Sequence, residues 1–206
     1  TYAVMKFIVP FALSILLVSC TASPEESKAP AKPSNIIFLI GDGMGLSAVS
    51  ATVYYGDEKS EFERFREMGL IRTSSATHKV TDSAASGTAM ATGKKTYNGA
   101  IGVDTARMTV QNISEVVDSL GWNTGVVATS TITHATPASF YAHVDNRGKE
   151  EEIAAQLVES YIDFFAGGGT ALFASRSDGV DLLQTAADKG FVVDTSALAA
   201  TGSLSD

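Results

Sequence analysis

The chain has 206 residues, of which 45% are hydrophobic and 18% charged, and a formal net charge of −8. This length suits one domain or part of a larger one, and the balance is that of a globular protein. The negative charge argues against nucleic acid as a binding partner, because phosphate backbones are bound by clustered Lys and Arg; the acidic side chains either hold cations or are simply solvated.

The chain opens on a segment that reads as an export signal. Met5 stands where a start is expected, with residues 1–4 as upstream read-through. Lys6 is followed by an apolar run over 7–18, interrupted by Pro10, and then by Ser19 and Cys20. The run is too short to span a bilayer comfortably, and the order of basic, apolar and small residues is that of a secretory signal. Leu17-Val18-Ser19-Cys20 resembles the lipobox of bacterial lipoproteins, in which the cysteine is lipidated after cleavage; the alternative is a plain signal with a chance cysteine. Cys20 is the single cysteine, so no intramolecular disulfide can form. Residues 1–20 are thus expected to be a lipoprotein-type signal. Residues 21–34, rich in Ser, Pro, Lys, Glu and Ala, are expected to be a flexible tether.

A folded body is expected over 35–206. The continuous apolar run 36–40 predicts a buried parallel strand, with a helix from the following glycines to about Tyr55. A helix is predicted over 60–68 and a short strand over 70–74. The small residues after Asp82 predict a closely packed helix. Residues 112–120 have helical spacing and stop at Gly121. A strand follows over 124–129, then a short helix over 137–143. Glu150 opens a helix to about 160 with acidic residues in its first turn, which suits the helix dipole. A strand over 162–166, a helix over 180–189 and a strand over 191–193 complete the series. Strands alternating with helices imply an α/β fold, a three-layer α/β/α sandwich around a mostly parallel central sheet.

In such sheets ligands gather at the carboxyl ends of strands, where Asp42 stands. Gly41, Gly43 and Gly45 leave room beside its carboxylate. It is a candidate metal ligand or, equally, a helix N-cap. Ser83 opens the small-residue helix and is either a cap or a nucleophile. The amino end of a tightly packed helix favours anions, and a metal can activate a hydroxyl for attack on phosphorus. His134-Ala135-Thr136-Pro137 fits a helix start with Thr136 as cap and Pro137 at the first position, or else puts His134 and Thr136 beside a cation. Arg147 has the planar fork that suits phosphate, although alone it reads as a surface residue. His143 reads as a packed or hydrogen-bonded histidine outside the site.

Taken together, these segments resemble the alkaline phosphatase family. Residues 35–45 are similar to its first metal-binding strand, residues 81–89 to its nucleophile segment and residues 95–103 to the continuation of that segment. Residues 135–138 and 142–147 are similar to its magnesium and phosphate-arginine segments. The resemblance runs from about Asn35 to the end of the chain, in the family's order.

The resemblance implies phosphate monoester hydrolysis at a site with two zinc ions and one magnesium. Asp42 would bridge one zinc and the magnesium. Ser83 would contact that zinc and become phosphorylated. Asp82 would help hold Arg147, which clamps two phosphate oxygens, and Thr136 and His134 would stand at the magnesium. Many bacterial members carry aspartate where His134 stands, whereas animal and some cold-adapted bacterial members carry histidine. Imidazole suits magnesium less well than carboxylate oxygen does. The family's remaining zinc ligands lie in its carboxyl half, and no histidine follows His143, so the 206 residues are expected to be an inactive amino-terminal fragment. An exported protein is expected, periplasmic or at the cell envelope, reaching the membrane only through a lipid on Cys20. Its substrates would be small phosphate monoesters, and the resemblance implies a homodimer. The rival readings are a phosphodiesterase or sulfatase on the same fold, and a non-catalytic, lipid-anchored protein that binds metal or phosphate.

Overall fold

The computed structural model describes residues 35–196. The signal with Cys20, the tether and the last ten residues lie outside the described residues. The chain divides into two units at Ile40. In the first, residues 35–40 have no regular secondary structure, and Ile36, Ile37, Phe38 and Leu39 are exposed. The strand predicted over 36–40 is not formed. An apolar run sets a preference for burial, but a strand also needs a neighbouring ladder to bond to.

The second unit begins with α1 (Leu46–Tyr55), in which no residue is buried. The helix predicted over 60–68 is a single 3-10 turn, Glu61–Arg64, capped by Ser60 Oγ. None of its residues is buried, and so short a helix needs packing to extend. Residues 70–74 and 191–193 are not strands.

Between residues 83 and 188 the elements come close to expectation, except that the short helix predicted over 137–143 lies at 135–138. α2 (Ser83–Thr92) buries Ala84, Ala85, Gly87, Thr88 and Ala91. α3 (Ile113–Ser119) starts at a complete capping box. Asn112 Oδ1 accepts from the Glu115 amide, and Glu115 Oε2 accepts from the Asn112 amide; this reciprocal pair satisfies two otherwise orphaned donors. β1 (Gly125–Thr131) and β2 (Phe164–Gly168) form a parallel pair in which Val126 faces Phe165 and Val127 faces Ala166. Parallel strands need a crossover, and here it runs through α4 (Ala135–Ala138) and α5 (Glu150–Glu159). β2 begins two residues later than predicted and takes in Gly167 and Gly168. A Cβ on Gly167 would lie 3.0 Å from Ile132 Cβ, so glycine at this position permits a close approach. α6 (Ala171–Ala174), absent from the expectation, and α7 (Leu182–Asp188) follow, with Asp181 Oδ1 capping the latter.

The core lies between this crossover and the carboxyl-terminal helices. Ile153, Ala154, Leu157 and Val158 of α5 are buried against Val126, Phe173, Leu182 and Ala186. Their spacing of one, three and four residues makes one helical face, and full burial of each larger side chain is worth about 1.5–3 kcal/mol. α5 packs on α6 and α7, and α2 packs on α4. That second contact brings the two segments with candidate site residues together. A cavity of about 1190 Å³ beside β2 and α7 is lined by Phe164, Phe165, Phe173 and Phe191, and by none of the candidate residues.

Candidate active site

α2 and α4 meet because both are built from small residues. A Cβ on Gly87 would lie 2.6 Å from Ser139 Oγ, and Ser139 is fully buried. Glycine at this position therefore lets the two helices close together, with their amino ends side by side.

Asp82 caps α2, its Oδ1 accepting from the Ala85 amide at 2.9 Å. Ser83 is thus the first helical residue and not the cap, and its hydroxyl is free to point elsewhere. Ser83 Oγ donates to Asp42 Oδ1 at 3.2 Å. Thr136 Oγ1 donates to the other oxygen, Asp42 Oδ2, at 2.8 Å. Asp42 does not cap α1, whose N-cap is Gly45. Gly43, at φ +69°, makes the turn that carries the chain from Asp42 into the helix.

Thr136 does not cap α4. The N-cap is His134, whose side chain makes no capping bond. Thr136 is the second helical residue and Pro137 the third. The first turn has no internal acceptors for its N–H groups, so Pro137 costs no helical bond there. The preceding turn is pinned by Tyr141, whose hydroxyl donates to the Ile132 carbonyl at 2.7 Å. Burial pushes the phenol pKa of Tyr141 well up.

Arg147 approaches from the loop before α5. Its Nη1 lies 3.4 Å from Asp82 Oδ2, and its Nη2 lies 3.0 Å from His134 Nε2. Arginine only donates, so His134 Nε2 is the accepting atom of this contact. His143 stays outside this group and bonds the Gly102 carbonyl and Glu115.

The Thr136 hydroxyl, and after it the Ser83 hydroxyl, hold the Asp42 carboxyl below its ordinary value against the opposing effect of partial burial. A lowered folded-state pKa means that ionised Asp42 adds stability above the unfolded value and loses it as pH falls through the folded one. In metal-free buffer, the wild-type protein should therefore lose stability faster than Asp42→Asn below about pH 4. Urea midpoints measured across the acid range test this, and parallel curves for the two proteins would contradict it.

The donors fit cations in part. Each oxygen of Asp42 has its own hydroxyl neighbour, and His134 adds an imidazole two residues before Thr136. No group of three His, Cys, Asp or Glu able to hold a metal occurs among the described residues. A zinc site takes three or four protein ligands, more than these residues supply by themselves.

Fold and site together define an α/β protein that gathers a carboxylate, two hydroxyls and a guanidinium at the amino ends of two adjacent helices, a site suited to an anionic group. The family model for alkaline phosphatase matches residues 33–201. The repressible alkaline phosphatase of Saccharomyces cerevisiae is 36% identical, over 78% of this chain and 33% of its own. Alkaline phosphatase 4 of Bacillus subtilis is 38% identical, over 81% of this chain and 41% of its own. The solved alkaline phosphatase of the Antarctic bacterium TAB5 is 51% identical with a TM-score of 0.75, over 77% of this chain and 46% of that one. The chain belongs to the alkaline phosphatase family. It spans between a third and a half of the length of these relatives.

Proposed function

We propose that the full-length protein hydrolyses phosphate monoesters, with Ser83 as the phosphoryl acceptor. The observation that carries this reading is the pairing of Ser83 Oγ and Thr136 Oγ1 with the two oxygens of Asp42, beside an arginine anchored to the Asp82 cap. Ser83 Oγ forms a bond to phosphorus as the bond to the leaving oxygen breaks, and the serine proton ends on the departing alcohol. Water then displaces Ser83 and releases inorganic phosphate. Arg147 holds the phosphoryl oxygens through charge-assisted bonds, and the free N–H groups opening α2 face the same charge. Asp42, Ser83, Thr136 and His134 would hold part of a centre of two zinc ions and one magnesium, which supplies the positive charge that activates a hydroxyl and stabilises the leaving oxygen. A structure of a histidine-to-aspartate mutant of the TAB5 enzyme has Mg bound in its M3 site, which supports assigning His134 to a magnesium position. The same reading has the protein exported, anchored at Cys20 and paired as a homodimer.

The test compares 4-nitrophenyl phosphate, its bis ester and 4-nitrophenyl sulfate as substrates of the full-length protein. The monoester should be turned over far faster than the other two, with the activity lost to a chelator. A preference for the diester or the sulfate would replace this reading with one of its rivals.

A further inference from the structure

Between α2 and the Arg147 loop runs a short segment, Tyr97-Asn98-Gly99, that touches both sides of the site without belonging to either. The Gly99 N–H donates to Asp82 Oδ2 at 3.0 Å. The Gly99 carbonyl accepts from the Arg147 N–H at 2.7 Å. One residue therefore grips the cap of the nucleophile helix with one backbone group and the backbone of the arginine with the other.

Both flanks of Gly99 are also secured. Tyr97 Oη donates to the Asp145 carbonyl at 3.0 Å, and Asn98 Nδ2 donates to the Val80 carbonyl at 3.1 Å. The segment thus ties the residues just before Arg147 to those just before Ser83. Beyond Gly99, the Ala100 carbonyl accepts from Thr88 Oγ1 on α2, and Ile101 exchanges two backbone bonds with Val144. Ala100 and Ile101 are fully buried, so this end of the segment is fixed in the packed interior.

The direct contact between Arg147 and Asp82 is long, at 3.4 Å. An arginine side chain has many rotamers, and fixing it costs entropy. A fork that must meet phosphate bidentately needs its backbone placed first, because small misplacements of binding groups are expensive. The Gly99 bonds supply that placement.

We infer that Tyr97-Asn98-Gly99 is a positioning strap that sets Arg147 against the Asp82–Ser83 turn and thereby sets the affinity of the site for the phosphoryl group. The inference rests on the reading above that Arg147 binds phosphate. The strap itself touches no substrate and acts through Arg147.

Gly99 sits at φ +91°, in the region that side chains other than glycine rarely adopt. A Cβ there meets no atom within 4 Å, so Gly99→Ala disturbs the backbone without a clash. Tyr97→Phe removes one hydrogen bond and keeps the ring.

The experiment measures inhibition of the full-length protein by inorganic phosphate in Tyr97→Phe, Gly99→Ala, Arg147→Ala and each strap variant combined with Arg147→Ala. Each strap variant alone should weaken phosphate by about threefold to tenfold, and neither should weaken it further once Arg147 is alanine, the coupling expected of residues that act through one another. A purely structural role would lower thermal stability and add its effect in both backgrounds. Unchanged inhibition in both strap variants, or additivity with Arg147→Ala, overturns the strap. Unchanged inhibition in Arg147→Ala itself overturns the phosphate role of Arg147, and the strap inference with it. If circular dichroism shows Gly99→Ala unfolded, Tyr97→Phe decides alone.

Discussion

Ser83→Ala is expected to abolish covalent labelling of the full-length protein by substrate phosphate and to lower turnover by on the order of a thousandfold or more, because the covalent route is lost while phosphate binding remains. Three features of the structure lead there. Asp82, and not Ser83, takes the capping role, so the serine hydroxyl is not consumed by the helix end. Burial of Ala84, Ala85 and Thr88 behind it holds the amino end of α2 in place. The hydroxyl is aimed at Asp42, on the opposite wall. Acid quenching during turnover of labelled monoester, followed by peptide mass spectrometry, should find phosphate on Ser83 in the wild type and nowhere in the variant. Phosphate trapped on another residue would overturn the assignment.

Arg147→Ala should weaken inhibition by inorganic phosphate by tenfold or more, since a charge-assisted hydrogen bond is worth about 1.5–3 kcal/mol. Metal content should be unchanged, because guanidinium is not a metal ligand. Asp82 and His134 engage one donor on each terminal nitrogen of Arg147. Guanidinium carries five donors, so the remainder stay available to phosphoryl oxygens. Arg147→Lys should rescue little, because an ammonium cannot reproduce the planar fork. Phosphate inhibition indistinguishable from wild type in Arg147→Ala would remove the residue from the site.

Much of the site's local chemistry was legible in the sequence. The glycines around Asp42 announced a turn, and Gly43 makes one. The small residues after Asp82 announced a tightly packed helix, and α2 is one. The helical spacing over 112–120 announced a helix, and α3 is one, closed at its start by a capping box between Asn112 and Glu115. In each case the signal and the bond it forms lie within a few residues, so local chemistry suffices.

Other readings failed where the deciding partner lay far away. The runs at 36–40, 70–74 and 191–193 have strand composition but are not strands, because a ladder depends on which segment lies alongside. Thr136 looked like a cap, yet its hydroxyl bonds Asp42, 94 residues earlier. Gly167 and Gly168 lay beyond the strand expected over 162–166 and became part of β2, where Ile132 stands close beside Gly167. The Gly99 strap gave no sign, since it works through backbone N–H and C=O groups that every residue other than proline carries. From its own residues the chain therefore determined its turns, its helix caps and the kinds of side chain available for chemistry. Only the tertiary structure decided which carboxylate meets which hydroxyl and what holds the arginine in place, because those bonds join residues tens of positions apart and form only when packing brings α2, α4 and the Arg147 loop together.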